Sequence, residues 1–551
     1  MQNIIQILRG LSLFLSILLF MSLGGQAQEI MLNPTTTVYK LSSNIIEYVC
    51  PEFDIDEMKM EDEYNDSIGW SPVRFAKGFD LDISTNTSGE WELVDDYHVW
   101  RYKITSQYAY SMNVLLENIN IPENSSIFIY NEDMSYIVGP IQYNVNQYGV
   151  YHSEFIPGSS IIIELVIDGK TDYTVPYLTI KGVAHDYYDF FGYVFYNDGT
   201  EFAKRIDECI NKDINCPIGV DWQTQKRSVA LMVAKFPIWW TFDGVSRDLG
   251  YCTGALINNT QFDGKSLFLT ANHCVSDNER ANKTIFYFNH ESNGCGNKKE
   301  HPYNFIVSGS TLRSNNEYSD FSLLELHSRI PSSYQPYFSG WDKSGTNPVK
   351  GVGIHHPAGN LKKIAIENDP ITPNSTPSYY GDLGYTFAVN SLWRLNYDEG
   401  GVTGGSSGSP LFNDNKKIVG QLLGGFDGCT ARKEYGRFSV SWNHGSSPAT
   451  RLKEWLDPIN SNPDEISGYI PEGWRNDWLT GWDQPSSHKV HPQIKSLAVG
   501  EGGQVFYRGT DNKMQSYYYN TSTNTWIHDW VSAHNIPNHE FIDGDVVVGE
   551  G

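Results

Sequence analysis

Three short strings in the 551-residue chain contain residue types that together can carry out nucleophilic chemistry. His273 lies in LTANHC, Asp320 lies in YSDFSLLEL, and Ser407 lies in GGSSGSP. A serine hydroxyl becomes a nucleophile when a histidine accepts its proton, and an aspartate holds that histidine in the required tautomer. Each residue alone has an ordinary structural explanation, but their joint occurrence in one cysteine-rich segment predicts a catalytic triad.

Glycines around the candidate nucleophile let two backbone N–H groups converge on a developing oxyanion, and we assign these donors to Gly405 and Ser407. The order His, Asp, Ser along the chain is the order found in chymotrypsin-like proteases. A rival interpretation takes G-x-S-x-G in the same turn and makes Ser406 the nucleophile of an α/β-hydrolase. Asp427 and His444 follow in the required order, but the region before Ser406 shows almost no helical periodicity.

The N-terminus has the layout of a secretory signal peptide, with Arg9 before the apolar run LSLFLSILLF and small residues at positions 25–27. We expect residues 1–27 to be removed, the protein to be secreted (extracellular, or periplasmic in transit), and no membrane anchor to remain. In an oxidising compartment the seven cysteines are disulfide candidates. No CxxC pair occurs, so neither a metal nor another cofactor is expected.

The composition bounds the class of protein. Hydrophobic residues make up 40% of the chain and charged residues 19%, which predicts packed domains rather than disorder. The net charge of −25 argues against nucleic acid as a partner, because phosphate binding needs clustered Lys and Arg. The predicted triad makes polypeptides the expected substrates.

Changes in pattern divide the chain into an upstream part (28–203), a cysteine-rich part (204–461) and a tail (462–551). The upstream part opens with an acidic stretch at 52–66, which we expect to be a solvated linker. Short alternating runs follow and predict an all-β sandwich. The part ends at Lys204–Arg205, a dibasic site suited to proteolytic release. Six cysteines and all three strings lie in the second part, whose last element is a predicted helix capped by Ser447.

The tail contains an internal repeat. WRNDWL recurs as WIHDWV 52 residues later, and VGEG recurs after 49 residues. A period near 50 residues in aromatic, strand-rich sequence predicts blades of a partial β-propeller.

Residues 204–461 resemble the secreted bacterial lysyl endopeptidases, a chymotrypsin-like family of two β-barrels. The strings that match are CINKDINCP, CTGALINN, LTANHC, SDFSLLEL, IHHP, GGVT, GSSGSP, GQLLGG, YGR and ATRLKEWLDP. The upstream part resembles the family's propeptide region more loosely. The string QVFYRGTDNKMQ in the tail resembles repeats of bacterial propeller lectins, which implies surface glycans as partners.

The resemblance implies the same triad and an all-β fold: a double β-barrel after a β-sandwich-like propeptide and before a partial propeller. His355 and His356 are adjacent, so on a strand they face opposite sides, and we interpret them as structural. The resemblance also implies three disulfides, Cys209–Cys429, Cys216–Cys295 and Cys252–Cys274.

The resemblance further points to a specificity pocket with candidate residues Leu423, Gly425, Lys433 and Glu434. Lys433 stands where the family has the aspartate that binds a substrate lysine, and Leu423 stands where it has a stacked histidine. Because a buried ammonium repels another, we expect an apolar or acidic residue before the cleaved bond rather than lysine. Glu434 would restore lysine binding if its side chain turned into the pocket.

The sequence thus predicts a secreted serine endopeptidase, made as a precursor, that acts through an acyl-enzyme intermediate. The alternative is a glycan-binding adhesin in which the protease-like part is a non-catalytic scaffold. Reaction of Ser407 with a covalent serine-protease reagent would distinguish the two.

Overall fold

The computed structural model describes residues 33–471, except 40, 68–73, 143–144, 146, 194–208, 236–248, 297–304, 382, 426–428 and 430, together with four strands between 498 and 528. The expected signal peptide and the dibasic site therefore lie outside the described residues. The chain divides into two compact units, 1–471 and 472–551. As predicted, the described structure is mostly β, and none of its helices is long and apolar enough to cross a membrane.

Residues 33–193, here called the upstream module, contain two α-helices and eleven strands in the part that the structure describes. The elements are α1 (Thr35–Val38), α2 (Ile55–Ser67), β1 (Glu47–Val49), β2 (Arg74–Ser84), β3 (Glu90–Val94), β4 (Tyr97–Thr105), β5 (Ser111–Glu117), β6 (Ser126–Asn131), β7 (Ile137–Gln142), β8 (Val150–His152), β9 (Ile156–Pro157), β10 (Ser160–Asp168) and β11 (Thr179–Asp186).

Two sheets of the upstream module share one apolar core. The first has the order β1-β4-β10-β6-β7, with β3 also paired to β4, and the second contains β2, β11, β5, β8 and β9. In the first sheet Trp100 lies opposite Leu165 in an antiparallel pair. Both side chains are fully buried in a cluster that also holds Met112 and Leu116 from β5. Alternating apolar residues on both sheets thus fill the space between them.

The acidic stretch is a helix rather than the predicted linker, although most of its acidic side chains are exposed as predicted. Residues Ile55–Ser67 form α2, and the Asp62 carboxylate within it is 3% exposed. Arg74 Nε donates to Asp62 Oδ1 at 2.8 Å, and its guanidinium also contacts Glu61 Oε2 at 2.6 Å. The Tyr187 hydroxyl donates to the second Asp62 oxygen at 2.8 Å. A buried carboxylate is tolerated here because distant residues pair with it.

Residues 209–471, here called the protease-like segment, contain eighteen strands and three short α-helices among the described residues. The strands are β12 (Val229–Lys235), β13 (Leu249–Leu256), β14 (Leu267–Ala271), β15 (Ile285–Tyr287), β16 (Ile306–Ser308), β17 (Ser310–Asn316), β18 (Phe321–Leu326), β19 (Trp341–Asp342), β20 (Gly351–His355), β21 (Lys363–Glu367), β22 (Thr372–Pro373), β23 (Ser378–Tyr380), β24 (Tyr385–Phe387), β25 (Leu392–Leu395), β26 (Pro410–Asn413), β27 (Ile418–Gly425), β28 (Lys433–Arg437) and β29 (Glu465–Ile466). The helices are α3 (Asn278–Lys283), α4 (Phe438–Asn443) and α5 (Lys453–Leu456).

The strands of this segment fall into two main sheets. Strands β12–β18 join the second sheet of the upstream module, because β2 pairs with β13 through Ala76 and Leu249. The result is a 12-stranded sheet, here called the shared sheet. A separate nine-stranded sheet contains β19–β22 and β25–β29, and β23 and β24 form a hairpin of their own. The predicted double barrel and β-sandwich-like propeptide stay predictions.

The predicted closing helix is interrupted. A 3-10 turn spans Pro448–Thr450, with Ser447 and Thr450 forming the two hydrogen bonds of a capping box, and α5 follows. Between them Arg451 is extended, with φ −153° and ψ 160°. Its carbonyl accepts a hydrogen bond from Ser314 Oγ of β17 at 3.0 Å. Packing on the shared sheet therefore overrides the local helical pattern.

The second unit is described only as four strands, β30 (Ala498–Val499), β31 (Val505–Arg508), β32 (Met514–Asn520) and β33 (Thr525–His528). They form one antiparallel sheet in sequence order. Most residues of the 50-residue repeat lie outside the described residues, so the propeller and its glycan partners stay predictions.

Candidate active site

The histidine and aspartate of the predicted triad lie at one end of a strand pair. Strands β14 and β18 are antiparallel, with Ala271 opposite Phe321, so the residues just beyond them meet. His273 Nδ1 lies 2.8 Å from Asp320 Oδ2, and the His273 backbone N–H donates to Asp320 Oδ1 at 3.0 Å. With Nδ1 as the donor, Nε2 of His273 keeps a lone pair that can accept a proton.

Asp320 is held on several sides. Its side chain is 3% exposed, whereas that of His273 is 16% exposed. Its φ of 55° is in the left-handed region, which costs energy for a residue with a Cβ and persists only where neighbours fix it. The Asp320 carbonyl accepts hydrogen bonds from Asn272 N at 3.0 Å and from Gln421 Nε2 at 3.3 Å. Gln421 belongs to β27, so this contact links the two main sheets.

The cysteines pair as the resemblance implies, in Cys209–Cys429, Cys216–Cys295 and Cys252–Cys274. The last pair ties the residue after His273 to β13 and closes a loop with a sequence separation of 22. A closed loop of that length stabilises the fold by about 3 kcal/mol on the chain-entropy model. Cys50 is free and buried, and burial raises the pKa of its thiol to about 11.

The loop that carries Ser407 is packed against β13 and against the end of β14, the strand that precedes His273. The Thr253 N–H of β13 donates to the Ser407 carbonyl at 2.8 Å. Gly408 has φ +79°, and a Cβ built on it would lie 2.2 Å from Thr270 Oγ1 and 2.8 Å from Ala271 N. Glycine is thus required at this position. The close approach brings the serine loop to the end of β14, two residues before His273.

The loop with the predicted oxyanion donors is held through its carbonyl groups. Gly405 has φ +89°, its carbonyl accepts from Thr253 Oγ1 at 2.8 Å, and the preceding carbonyl of Gly404 accepts from Ala358 N at 2.7 Å. Neither the Gly405 N–H nor the Ser407 N–H donates a hydrogen bond to any residue that the structure describes. Both are therefore available to a ligand oxygen.

Ser406, the nucleophile of the rival interpretation, is fully buried. Its Oγ lies 2.7 Å from His355 Nδ1. Burial, with the nearby charges of Lys363 and Lys433, lowers the pKa of His355 to about 3, so this histidine is neutral at pH 7. The pair is a buried structural contact. Ser407, in comparison, is 8% exposed.

The four specificity candidates do not form one group. Glu434 is 1% exposed, and its carboxylate accepts hydrogen bonds from Arg394 Nε at 2.6 Å, Ser378 Oγ at 2.8 Å and Tyr380 OH at 3.0 Å. Its charge is therefore already paired inside the protein. Leu423 packs in the same region, in a cluster with Phe387 and Tyr380.

Lys433 points to the opposite face of β28, because neighbouring residues on a strand alternate. It is 1% exposed and pairs across the strands with Gly425. A Cβ built on Gly425 would lie 2.7 Å from Lys433 Cδ, so the glycine makes room for the lysine stem. The lysine also raises the local positive potential, since it is one of the charges that lower the pKa of His355.

Two groups of residues have metal-ligand geometry among the described residues. One comprises His273 with Cys252 and Cys274, but those cysteines form a disulfide and offer no thiolate. The other is the acidic cluster of Glu367, Asp369 and Asp398, two members of which are exposed. Neither supports a catalytic metal.

Three residues near the serine loop were not predicted from the sequence. Thr253 binds the carbonyls of Gly405 and Ser407, and Tyr251 packs on Gly405. Phe190 of the upstream module packs on Tyr251. The aromatic run around Phe190 was the one visible signal in the sequence. It did not reveal the partners of Phe190, because they lie far away along the chain.

Comparison with known proteins shows what the protease-like segment is similar to. Residues 206–439 match the family model described as lysyl endopeptidase, C-terminal domain. A lysyl endopeptidase of Pseudomonas aeruginosa is 26% identical over 290 residues, which are 51% of this chain and 58% of that protein. The chain thus spans less than two thirds of that relative.

Two further proteins are similar at low identity. Secreted RxLR effector protein 73 of Plasmopara viticola is 24% identical over 340 residues, covering 59% of this chain and 77% of the effector. The crystal structure of the thermostable serine protease AL20 from an extremophilic microorganism is 14% identical with a TM-score of 0.28. That similarity covers 39% of this chain and 92% of AL20.

Proposed function

We propose that this protein is a secreted serine endopeptidase, made as a precursor, in which His273, Asp320 and Ser407 form the catalytic triad. The observation that carries the proposal is the doubly hydrogen-bonded pair of His273 and Asp320, with the Ser407 loop packed against β13 and the end of β14. The match to the lysyl endopeptidase family supports the same activity.

The proposed reaction uses the three triad residues and the two backbone donors. Ser407 Oγ attacks the carbonyl carbon of the scissile peptide bond while its proton passes to His273 Nε2. The tetrahedral oxyanion accepts hydrogen bonds from the N–H groups of Gly405 and Ser407. The C–N bond then breaks, the leaving amine takes the proton from His273, and an ester of Ser407 remains.

Water completes the cycle by the same path. It attacks the ester carbonyl and gives a proton to His273, which returns it to Ser407 Oγ as the C–O bond breaks. Asp320 stays ionised throughout and stabilises the imidazolium that forms twice in each cycle. No metal or other cofactor takes part in the proposal.

Reaction with a fluorophosphonate reagent tests the proposal on the secreted full-length protein. We expect one reagent per chain, attached to Ser407, and none on the Ser407→Ala variant. The Ser406→Ala variant is the matched control, and it should still be modified. Modification at Ser406, or none in the folded wild-type protein, would contradict the assignment and leave the adhesin alternative, which glycan binding by residues 462–551 would then support.

The specificity part of the proposal is that lysine is not the preferred residue before the cleaved bond. Lys433 supplies a buried positive charge, and Glu434 is paired with Arg394 rather than available to a substrate. An apolar or acidic side chain avoids the repulsion that a substrate ammonium would meet.

The precursor part rests on the dibasic site Lys204–Arg205. N-terminal sequencing of the active secreted protein is expected to start between Lys204 and Ile206. A start near residue 28 would show instead that the upstream module stays covalently attached.

A further inference from the structure

The last segment of the upstream module turns aromatic side chains toward the protease-like segment. This aromatic segment, residues 187–193, directly follows β11. Asp186 accepts hydrogen bonds from Tyr188 N at 2.9 Å and from Phe190 N at 3.0 Å, and Asp189 adopts φ 54°. These contacts fix a turn that buries Phe190 in a cluster of side chains from both parts of the chain.

Phe190 fills a gap beside a glycine of the protease-like segment. Its ring stacks on Phe75 at a centroid distance of 4.0 Å and on Tyr251 at 5.2 Å. A Cβ built on Gly359 would lie 2.2 Å from Phe190 Cζ. The ring therefore rests directly on the Gly359 backbone, where any side chain would displace it.

Two of the groups that Phe190 contacts, Tyr251 and Gly359, also touch Gly405. A Cβ built on Gly405 would lie 2.5 Å from Tyr251 Cδ2 and 3.0 Å from Gly359 N. Movement of Tyr251 or of the Gly359 backbone thus changes the space available to Gly405. A continuous packed path runs from the upstream module to a predicted oxyanion donor.

A hydrogen bond fixes the orientation of the Gly404–Gly405 peptide within this packing. The N–H of Ala358, the neighbour of Gly359, donates to the Gly404 carbonyl at 2.7 Å. In a trans peptide the carbonyl of one residue and the N–H of the next point in opposite directions. Holding the Gly404 carbonyl toward Ala358 therefore aims the Gly405 N–H away from it. A rotated peptide would instead present a carbonyl oxygen, which repels an oxyanion.

We propose that Phe190 is a positioning residue for the oxyanion hole. It supports the 358–359 turn and Tyr251, and these hold the Gly404–Gly405 peptide with its N–H available to the substrate. While it stays bound through the pairing of β2 with β13, the upstream module thereby contributes to the chemical step without touching the substrate or the triad. The inference rests on the proposed serine endopeptidase activity.

The test compares two buried phenylalanines of the upstream module in the full-length chain. Phe190→Ala is the test variant, and Phe128→Ala is the control because Phe128 is also buried but packs in a separate cluster with Val99 and Tyr130. Loss of one oxyanion donor lowers kcat by about 10²–10³-fold, so a misplaced donor is expected to cost about 10–10². We expect this loss for Phe190→Ala, with KM within about threefold, and kcat within about twofold for Phe128→Ala.

Two further measurements separate positioning from a general loss of stability. A peptide aldehyde, which forms an oxyanion on the enzyme, should bind Phe190→Ala more weakly by the same factor as kcat falls. The pH profile of kcat/KM should be unchanged, because His273 and Asp320 are not contacted. A shifted profile, equal losses in both variants, or unchanged kcat in Phe190→Ala would overturn the inference.

If Phe190→Ala does not fold, Phe190→Leu replaces it, since leucine keeps most of the volume but loses the stacked ring. A kcat within twofold of wild type together with unchanged aldehyde affinity would then overturn the inference. The proposed function fails separately, through a wild-type protein that neither cleaves peptides nor reacts at Ser407.

Discussion

The two main sheets of the protease-like segment carry different parts of the proposed triad and are built differently. The shared sheet, which carries His273 and Asp320, takes five of its 12 strands from the upstream module. The nine-stranded sheet, beside which Ser407 lies, uses only strands between residues 341 and 466. The base and the nucleophile therefore depend on separate supports, and a few hydrogen bonds align them, among them Thr253 N to the Ser407 carbonyl.

The largest expected effect comes from the nucleophile beside the nine-stranded sheet. Ser407→Ala should lower kcat by about 10⁶ and leave the residual catalysis of binding and the oxyanion hole, about 10³–10⁴ over water. Ser406→Ala is the control and should keep substantial activity, because Ser406 is buried against His355. Steady-state hydrolysis of a peptide substrate measures both, and reversed results would favour the hydrolase interpretation.

A second change acts on the shared sheet. Asp320→Asn should leave the fold intact but lower kcat by about 10⁴, because an amide can donate to His273 Nδ1 and so favours the wrong tautomer. The Asp320 oxygen that accepts from the His273 backbone N–H can be kept. The same peptide assay, with circular dichroism as the folding check, measures the loss. A loss below tenfold would show that the aspartate does not orient the histidine.

A third prediction concerns specificity, which we assign to the nine-stranded sheet alone. Cleavage-site profiling on a denatured protein mixture should show that lysine before the cleaved bond is disfavoured. Lys433→Asp should raise kcat/KM for lysyl peptides by about tenfold or more, because the substrate ammonium would then meet a carboxylate instead of another ammonium. Lys433→Met, which removes the positive charge without adding a negative one, is the control and should give a smaller gain. Dominant lysine cleavage by the wild type would point to Glu434 instead.

The smallest effect is expected when the pH is lowered. The resulting change in local stability should differ between the two main sheets. In the nine-stranded sheet and the turn after it, burial lowers the pKa of His355 to about 3 and that of His356 well below its usual value. Stability from these neutral histidines is present above pH 6.5 and is lost as the pH falls below it, by about 2 kcal/mol each at pH 5.

In the shared sheet the pKa shifts of two adjacent residues, His185 and Asp186, have opposite effects on stability. Burial lowers the pKa of His185 to about 4, so lowering the pH destabilises the folded state around this residue. Burial raises the pKa of Asp186 to about 7, and a raised carboxyl pKa means stability that is gained as the pH falls from 7 toward 4. Hydrogen exchange at pH 7 and pH 5 should therefore show lost protection in β20 and β21 but little change in β11. Equal losses in both sheets would contradict this assignment.

Local patterns predicted the strands and the strings around the triad, because alternation and turn residues act over short distances. The string that contains Asp320, for example, continues as the strand Phe321–Leu326. The errors came from distant partners. Asp62 looks like a solvated acid until Arg74 and Tyr187 are placed beside it, and Arg451 breaks a helical pattern because Ser314 binds its carbonyl. The contact of Phe190 with Gly359 had no local signal at all.

The pairing of β2 with β13 also affects the solubility of the protease-like segment. Ala76 covers the edge of β13 at Leu249, and the aromatic segment covers Leu231, Val233 and Tyr251 beside it. A segment produced without residues 33–193 would expose this strand edge next to those apolar side chains. Open edges of that kind template strand addition between copies. The upstream module thus acts as a cover against aggregation as well as a part of the sheet.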